Sequence, residues 1–424
     1  MSFANQRNTL IHDHLGNLYN FRWDEERILY TYFDKYLKKY EKDILVEDCT
    51  LEFDAGIDAQ NNVYFVYQRK DGRLILKSLV NGFWQENLLG GENTLNILNL
   101  NLFIDYGRIH IIYCVPSNES DMTYRIYHHY YDEQGWKNFV VQDIERKNLL
   151  NPFQMIKKEK NFVVGFYDLM GEEEQIFIKE FNTETDQWEN TIQLTDGSNN
   201  RVYLDILITK KENLHLTYSE YFQGNLLIKD EKYKVHENKA IKIAENIISN
   251  PSNCTNPTFI KDHDKLWNVW TEYDQIVSSL STDDGITWSE PYLWKESKEE
   301  IFFRYKFDTN DENIDTDYRF NYSFGKDYPE FSFIGFGPLE RAEKIPLQIN
   351  KKKEEEACVM ELEEVKRSEK QINDVRNDTI QISKLQKDIE KLEAKISDIK
   401  NLEERINNIE EYFRRRRGLF FSRK

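Results

Sequence analysis

Val63-Tyr64-Phe65-Val66-Tyr67 is an unbroken run of β-branched and aromatic residues, and the turn Asp58-Ala59-Gln60-Asn61-Asn62 stands just before it. β-Branched and aromatic side chains suit a pleated strand, while Asp and Asn suit the tight turn that feeds it. The unit recurs at Leu18-Tyr19-Asn20-Phe21-Arg22-Trp23, Ile109-His110-Ile111-Ile112-Tyr113 and Phe162-Val163-Val164-Gly165-Phe166-Tyr167. It recurs again at Leu214-His215-Leu216-Thr217-Tyr218, Leu266-Trp267-Asn268-Val269-Trp270 and Tyr318-Arg319-Phe320-Asn321-Tyr322. The centres Phe21, Phe65, Ile111, Val164, Leu216, Val269 and Phe320 are 44, 46, 53, 52, 53 and 51 residues apart. A fixed period of this length marks a repeat architecture.

Each unit continues into another strand and then a late tryptophan turn, as at Gly82-Phe83-Trp84, Gly135-Trp136, Asp186-Gln187-Trp188 and Gly285-Ile286-Thr287-Trp288. Three or four short strands per period, with no amphipathic helix between them, describe one blade of a β-propeller. The expected fold is therefore all-β: a propeller of about seven blades, with six as the alternative, over residues 1–345. A linker is expected over 346–358, a C-terminal α-helical coiled coil over 359–413 and a basic tail over 414–424. The aromatic content of 14%, with 25 Tyr and 26 Phe against 17 Gly and 8 Pro, agrees with strand-rich structure and excludes a collagen-like chain.

The hairpin expected at the end of the sixth unit carries Ser281-Thr282-Asp283-Asp284-Gly285-Ile286-Thr287-Trp288, which matches the pattern S-x-D-x-G-x-T-W at every fixed position. On those eight residues the domain resembles the sialidase-like propellers with Asp-box (BNR) repeats, over roughly residues 8–345. The resemblance implies that Ser281, Asp283, Gly285, Thr287 and Trp288 form a structural turn. In that family the box is distant from the catalytic centre. The arginine triad, the Tyr–Glu nucleophile pair and the acid/base Asp of sialidases find no assignable match; Phe21-Arg22-Trp23 lacks the family's Phe-Arg-Ile-Pro motif. No catalytic residue is carried over, and a carboxylate pair for other glycoside chemistry cannot be chosen among 75 acidic residues.

Other clusters read as structure. His12-Asp13-His14 occupies a turn in which other repeats carry Asp and small polar residues, which favours turn chemistry over a ligand set. His128 and His129 are neighbours on a strand and point to opposite faces, so they do not share a metal. Asp283 and Asp284 lack the remainder of a calcium loop. No metal and no cofactor is expected. Cys49, Cys114, Cys254 and Cys358 are scattered and read as free thiols of a reducing compartment. With no secretory signal and no apolar run long enough to span a bilayer, a cytoplasmic location is expected, with peripheral membrane association through the tail as an option.

The net charge of −18 is uneven: residues 351–424 hold 19 basic and 17 acidic residues, leaving 38 and 58 for the body. An acidic body repels phosphate backbones, which argues against general nucleic-acid binding by the propeller. From Glu354 to Arg417 no Pro or Gly occurs. Apolar residues there recur at intervals of three and four, notably Ile382, Leu385, Ile389, Leu392, Ile396, Ile399, Leu402, Ile406, Ile409 and Phe413, the seam of a coiled coil. Arg405-Ile406-Asn407-Asn408-Ile409-Glu410 fits the R-h-x-x-h-E pattern, with Arg405 and Glu410 flanking the seam, so a homotrimer is favoured over a dimer. Arg414, Arg415, Arg416, Arg417, Arg423 and Lys424 form a basic end around Leu419-Phe420-Phe421. That end suits an anionic membrane or an acidic partner.

These features point first to a non-enzymatic, multivalent binding or structural protein, its propeller heads engaging a protein or glycan from an oligomeric stalk. The alternative is a lectin or glycoside-active enzyme using the central face of the propeller.

Overall fold

The computed structural model describes residues 2–3, 7–89, 96–105, 107–117, 122–132, 134–147, 150, 152–158, 160–209, 212–236, 239–327, 331–348 and 379–419. The chain divides into two units, Met1–Leu347 and Gln348–Lys424.

In the first unit the described residues form six sheets, each built on an antiparallel meander. After β1 (Ser2–Phe3) the first meander is β2 (Asn8–His12), β3 (Leu18–Asp24), β4 (Arg27–Asp34) and β5 (Lys39–Val46). The second is β6 (Cys49–Ile57), β7 (Val63–Arg69), β8 (Leu74–Val80) and β9 (Phe83–Leu89). The third is β10 (Leu98–Asp105), β11 (Arg108–Pro116), β12 (Thr123–Asp132) and β13 (Gly135–Glu145). In the fourth, β14 (Phe153–Lys158), β15 (Asn161–Met170) and β16 (Glu173–Asn182) are followed by the short β17 (Gln187–Trp188) and β18 (Ile192–Gln193), both on β16. The fifth is β19 (Arg201–Ile208), β20 (Asn213–Phe222), β21 (Asn225–His236) and β22 (Lys239–Ile247). The sixth is β23 (Cys254–Asp262), β24 (Lys265–Glu272), β25 (Gln275–Ser281) and β26 (Tyr292–Trp294). Six of the seven repeated runs thus fall on the second strands β3, β7, β11, β15, β20 and β24.

The seventh run builds no sheet of its own. The chain continues through β27 (Phe302–Thr309), α1 (Glu312–Asp317), β28 (Tyr318–Arg319), β29 (Tyr322–Lys326), β30 (Ser332–Ile334) and β31 (Ala342–Lys344). β27 pairs in parallel with β2 and antiparallel with β29, β28 pairs with β23, and β31 pairs with β26. This closing hairpin is therefore spliced between the first strands of the first and sixth sheets.

Alternation along the second strands shows why the sheets stack as propeller blades. Val63, Phe65 and Tyr67 pack with Ile11, Tyr19 and Phe21 of the first sheet, whereas Val66 packs with Leu100, Leu102 and Ile111 of the third. Successive side chains point to opposite faces, and here both faces are covered, so the strand must be apolar throughout. Each buried Phe or Val contributes roughly 1.5–3 kcal/mol by leaving water.

The first strands are also linked by hydrogen bonds. Thr9 Oγ1 donates to Asp54 Oδ1 (3.3 Å), and Leu102 N to Asp54 Oδ2 (2.6 Å). Asn99 Nδ2 donates to Phe153 O (2.8 Å) and Gln154 Nε2 to Asp205 Oδ1 (3.0 Å). Phe259 N and Thr258 Oγ1 donate to Asp205 Oδ2 (2.9 and 3.0 Å), and Thr258 Oγ1 also reaches Tyr322 O (3.2 Å). With β29 on β27 and β27 on β2, the circuit closes.

In the second unit, α2 (Thr379–Leu419) is a 41-residue helix, about 60 Å long at ~1.5 Å rise per residue. Residues 359–378 of the expected coiled coil lie outside the described residues.

Asp205 is fully buried and takes hydrogen bonds from Gln154, Thr258, Phe259 and Asn321. Asp205→Ala strands these donors and is expected to cost on the order of 3 kcal/mol in urea unfolding. An unchanged midpoint would show that this carboxylate does not hold the ring.

Candidate functional site

Thr9, Asp54, Asn101, Gln154, Asp205 and Thr258 each supply one buried polar side chain from the first strand of a sheet. They stand 45, 47, 53, 51 and 53 residues apart, the repeat expressed as an axial polar layer. Lys306 of the closing hairpin enters it, ion-paired to Asp54 and donating to Asn101 Oδ1 (3.2 Å). Asn321 enters from the other side, donating to Asp205 Oδ1 (3.2 Å) and Ile206 O (3.2 Å).

Two residues before Asn101, Asp205 and Thr258, the ladder slips by a bulge and the backbone turns left-handed, at Asn99 (φ 55°), Tyr203 (φ 60°) and Asn256 (φ 52°). A bulge re-aims its side chain, and a non-glycine residue at positive φ carries strain that the surrounding structure must hold. All three side chains line an axial mouth of ≈ 210 Å³ together with Arg7, Arg304, Lys306 and Tyr322.

β27 supplies the charge. Its sequence Phe302-Phe303-Arg304-Tyr305-Lys306-Phe307-Asp308-Thr309 alternates, and Arg304, Lys306 and Asp308 share one face, toward the axis. The Arg304 guanidinium carbon lies 3.7 Å from the Tyr322 ring centroid. Among the described residues no carboxylate forms an ion pair with Arg304, its Nε has no partner, and burial pulls its guanidinium below the ordinary value. Arg7 is already engaged with Phe53 O (3.1 Å), Leu100 O (2.9 Å) and Glu52 (3.1 Å). At the opposite end a cavity of ≈ 110 Å³ is lined by Gln154, Lys157, Lys306, Asp308, Arg319 and Asn321. Burial pushes the Asp308 carboxyl up to about 6, and Asp308 Oδ2 accepts from Ile57 N (3.0 Å).

The residues singled out in the sequence lie elsewhere. The Ser281–Trp288 turn joins β25 to β26. Asp283 Oδ1 accepts from Ser281 Oγ (2.8 Å), Ile286 N (3.1 Å) and Thr287 N (2.9 Å), and Oδ2 accepts from Thr287 Oγ1 (2.6 Å). Slight burial opposes ionisation, yet these bonds hold Asp283 down at about 2. Gly285 has a φ of +77°, and a Cβ there would stand 2.8 Å from the His215 ring, so there is no room for a side chain. Asp284 binds Lys232 Nζ (2.7 Å) and Asn213 Nδ2 (2.8 Å), and Trp288 Nε1 donates to Asp230 Oδ2 (2.8 Å), so the turn pins the sixth sheet to the fifth.

Asp13 and Asp58 organise identical turns 45 residues apart. Each accepts two turn amides and the side chains of an Asn and a Tyr, Asn17 and Tyr19 or Asn62 and Tyr64. His128 is buried against His110 (Nε2 to Nδ1, 3.0 Å), whereas His129 on the other face meets Tyr113 and Asn138. Burial lowers His110 to about 3. Among the described residues no group of three His, Cys, Asp or Glu is arranged to hold a metal ion. Cys49, Cys114 and Cys254 are buried and unpaired, their thiols pushed up by burial to about 11, 12 and 12. Cys358 lies outside the described residues.

On α2, Ile389, Leu392, Ile396, Ile399, Leu402 and Ile406 are each 52–58% exposed, with Arg405 and Glu410 exposed beside them. Ile382, Leu385, Ile409, Phe413 and Arg414–Arg417 lie on the same helix, but their side chains are outside the description, as are Phe420, Phe421, Arg423 and Lys424 altogether.

No protein-family model matches the chain. No curated protein matches it either. Among solved structures, an ulvan lyase from a new family of polysaccharide lyases is similar at 10% identity and a TM-score of 0.48, over 74% of this chain and 90% of that one. A mutant of AofleA from Arthrobotrys oligospora is similar at 10% identity and 0.39, over 68% and 86%. An α-L-arabinanase from Penicillium chrysogenum is similar at 7% identity and 0.41, over 64% and 92%.

Burial raises the Asp230 carboxyl to about 8, against the opposing bonds from Trp288 and Asn246. The unfolded chain ionises near ~3.9, so folding takes up a proton between about pH 4 and 8, and stability falls as pH rises through that window. Asp230→Asn removes this cost while keeping an acceptor for Trp288. Its unfolding free energy in urea relative to the parent should rise from pH 5 to pH 9, by on the order of a few kcal/mol. A gap that stays constant with pH would show that Asp230 is ionised throughout.

Proposed function

We propose that this chain is a carbohydrate-binding protein. Its axial mouth takes a glycan bearing an acidic group, and α2 gathers several heads into one multivalent assembly. We count the ring as six blades with a closing hairpin. The observation that carries the reading is Arg304, a guanidinium stacked on Tyr322 whose only carboxylate influence among the described residues is Asp205, itself engaged by four donors, in a mouth to which three strained bulges deliver Asn99, Tyr203 and Asn256. An enclosed cation that no carboxylate touches directly is costly, and a bound anion offsets that cost. Asparagine amides and tyrosine hydroxyls supply the hydrogen bonds that orient a polyhydroxylated ligand.

Binding is favoured over glycoside hydrolysis by the state of the axial acids. Hydrolysis needs two available carboxyl groups flanking the bond. Asp54 is held by Lys306, Asp205 by four donors, and Asp308 by Ile57 N at the opposite end. The buried unpaired thiols support a reducing compartment such as the cytoplasm.

The stalk supports multivalency. A narrow apolar stripe on a helix 41 residues long needs a partner to leave water. Isoleucine on both sides of the seam, with Arg405 and Glu410 flanking it, favours a parallel trimer. Three heads then bind a repeating glycan with an avidity far above that of one site.

Full-length protein on a glycan array should retain uronate-bearing and sulfated glycans over neutral ones. Arg304→Gln should weaken that binding at least tenfold, about 1.4 kcal/mol, with an unchanged circular dichroism spectrum. Equal binding of neutral glycans, or no effect of the substitution, would overturn the axial assignment.

Light scattering of the full-length chain should give three times 51.0 kDa. Ile389→Asp, Ile396→Asp and Ile406→Asp together should reduce it to a single chain by burying unpaired charge in the seam. A parent that is monomeric at tens of micromolar would remove the stalk from the proposal.

A further inference from the structure

A cavity larger than either axial one lies away from the axis. A cleft of ≈ 690 Å³ opens between the first two sheets, with β4 and β5 on one side and β8 and β9 on the other. Its aromatic wall is fixed by mutual packing. Trp84 meets Tyr30 edge-on (centroids 5.7 Å, interplanar 88°) and Phe21 behind it (6.4 Å, 84°), and Tyr32 is held by Tyr19 (4.9 Å, 41°). Rings locked in this way lose little freedom on binding.

The strand register places charge against these rings. Glu41 stands opposite Tyr32 and Asp43 opposite Tyr30. The two acids are two residues apart and so share one face of β5. Both are exposed, and neither forms an ion pair among the described residues. Lys77, on the facing wall, is paired with Glu86 (3.2 Å). Two like charges on one strand face repel. Burial raises both tyrosine hydroxyls, and Glu41 adds to it at each, with Tyr32 acting on Tyr30 and Asp34 and Asp13 acting on Tyr32.

We propose that this cleft binds an arginine- or lysine-bearing segment of a partner protein. The cationic head lies against the aromatic wall of Tyr30, Tyr32 and Trp84, and Glu41 and Asp43 supply the counter-charge. A cation over an aromatic face gains from the ring quadrupole, and the same cation relieves the repulsion between the two carboxylates. A neutral saccharide gains from the rings but leaves that repulsion standing. The cleft is opposite in sign to the axial mouth, so the two sites take different ligands, and this inference stands apart from the axial reading.

The test is calorimetric titration of the full chain with tetra-arginine amide, tetra-lysine amide and cellotetraose. Tetra-arginine should bind most tightly, since a guanidinium stacks better than an ammonium. Glu41→Gln with Asp43→Asn, both at exposed positions, should weaken it at least tenfold. The same charge removed at exposed Glu299 and Glu340 (each to Gln) should change it less than twofold, and Arg304→Gln should leave it unchanged. Equal weakening by both charge-removing pairs would show nonspecific attraction to an acidic chain and overturn the proposal. So would absence of tetra-arginine binding, or cellotetraose binding that Trp84→Ala abolishes.

Discussion

The structure depends on a hydrogen bond that spans one repeat. Asp54 accepts the amide of Leu102, Glu52 that of Leu100 and Asp205 that of Phe259, in each case the first strand of the following sheet. Most of the remaining contact between adjacent blades is apolar, which is non-directional and tolerates sliding. A buried carboxylate that takes an amide proton tolerates little, because losing the bond leaves both groups unpaired. These contacts set the angle between blades, and that angle decides how many sheets complete a turn. Asp308 makes the same bond to Ile57, some 250 residues away in sequence, so the closing hairpin uses the device that spaces the blades.

Closure and site are consequently one construction. β27 must lie beside β2 to complete the circuit, and its axial face then delivers Arg304, Lys306 and Asp308 into the middle of the ring. Lys306 neutralises Asp54 and so stabilises the layer it enters. Arg304, two residues away on the same face, stacks on Tyr322 and forms no ion pair among the described residues, and the bulges at Asn99, Tyr203 and Asn256 line the same mouth. Strain at three equivalent positions is not needed to form a sheet, since the fourth sheet begins without a left-handed residue at the matching place. The strain is accounted for by the side chains it re-aims.

How much of this could be read from the sequence follows from what each strand touches. The second strands are covered on both faces, so they stand out as apolar runs such as Val63–Tyr67, and six of them gave the period. The run at 318–322 has the same composition, but its residues serve two sheets as β28 and β29, and composition does not reveal pairing. The axial layer is hard to read from the sequence because it is a single polar residue between apolar ones, as in Phe53-Asp54-Ala55, Leu100-Asn101-Leu102 and Leu204-Asp205-Ile206. Taken one at a time these look like ordinary interruptions, and the bulges just upstream spoil the alternation that would have aligned them. The alternation Arg304-Tyr305-Lys306-Phe307-Asp308 was readable, and its charged face was the available signal for the site. The turn at Ser281–Trp288 was legible because its bonds are local, whereas its grip on Asp230 and Lys232 of the fifth sheet is not.

Charge segregation gives the molecule its two faces. Residues 1–350 carry 20 more acidic than basic residues, yet the axis gathers Arg7, Arg304, Lys306, Lys157 and Arg319. A positive site within a negative envelope pays a kinetic cost in attracting anions, because the long-range field opposes their approach. At about 8 Å screening in physiological salt that opposition is confined to the last stretch of the approach, where the enclosed cations of the mouth offset it. An anion taken at the axis, as proposed, would therefore be selected by short-range fit to the planar guanidinium on Tyr322 and the amides around it. At the outer cleft the envelope and the local carboxylates agree in sign, so the cationic segment proposed there would meet attraction rather than opposition over the same screened distance.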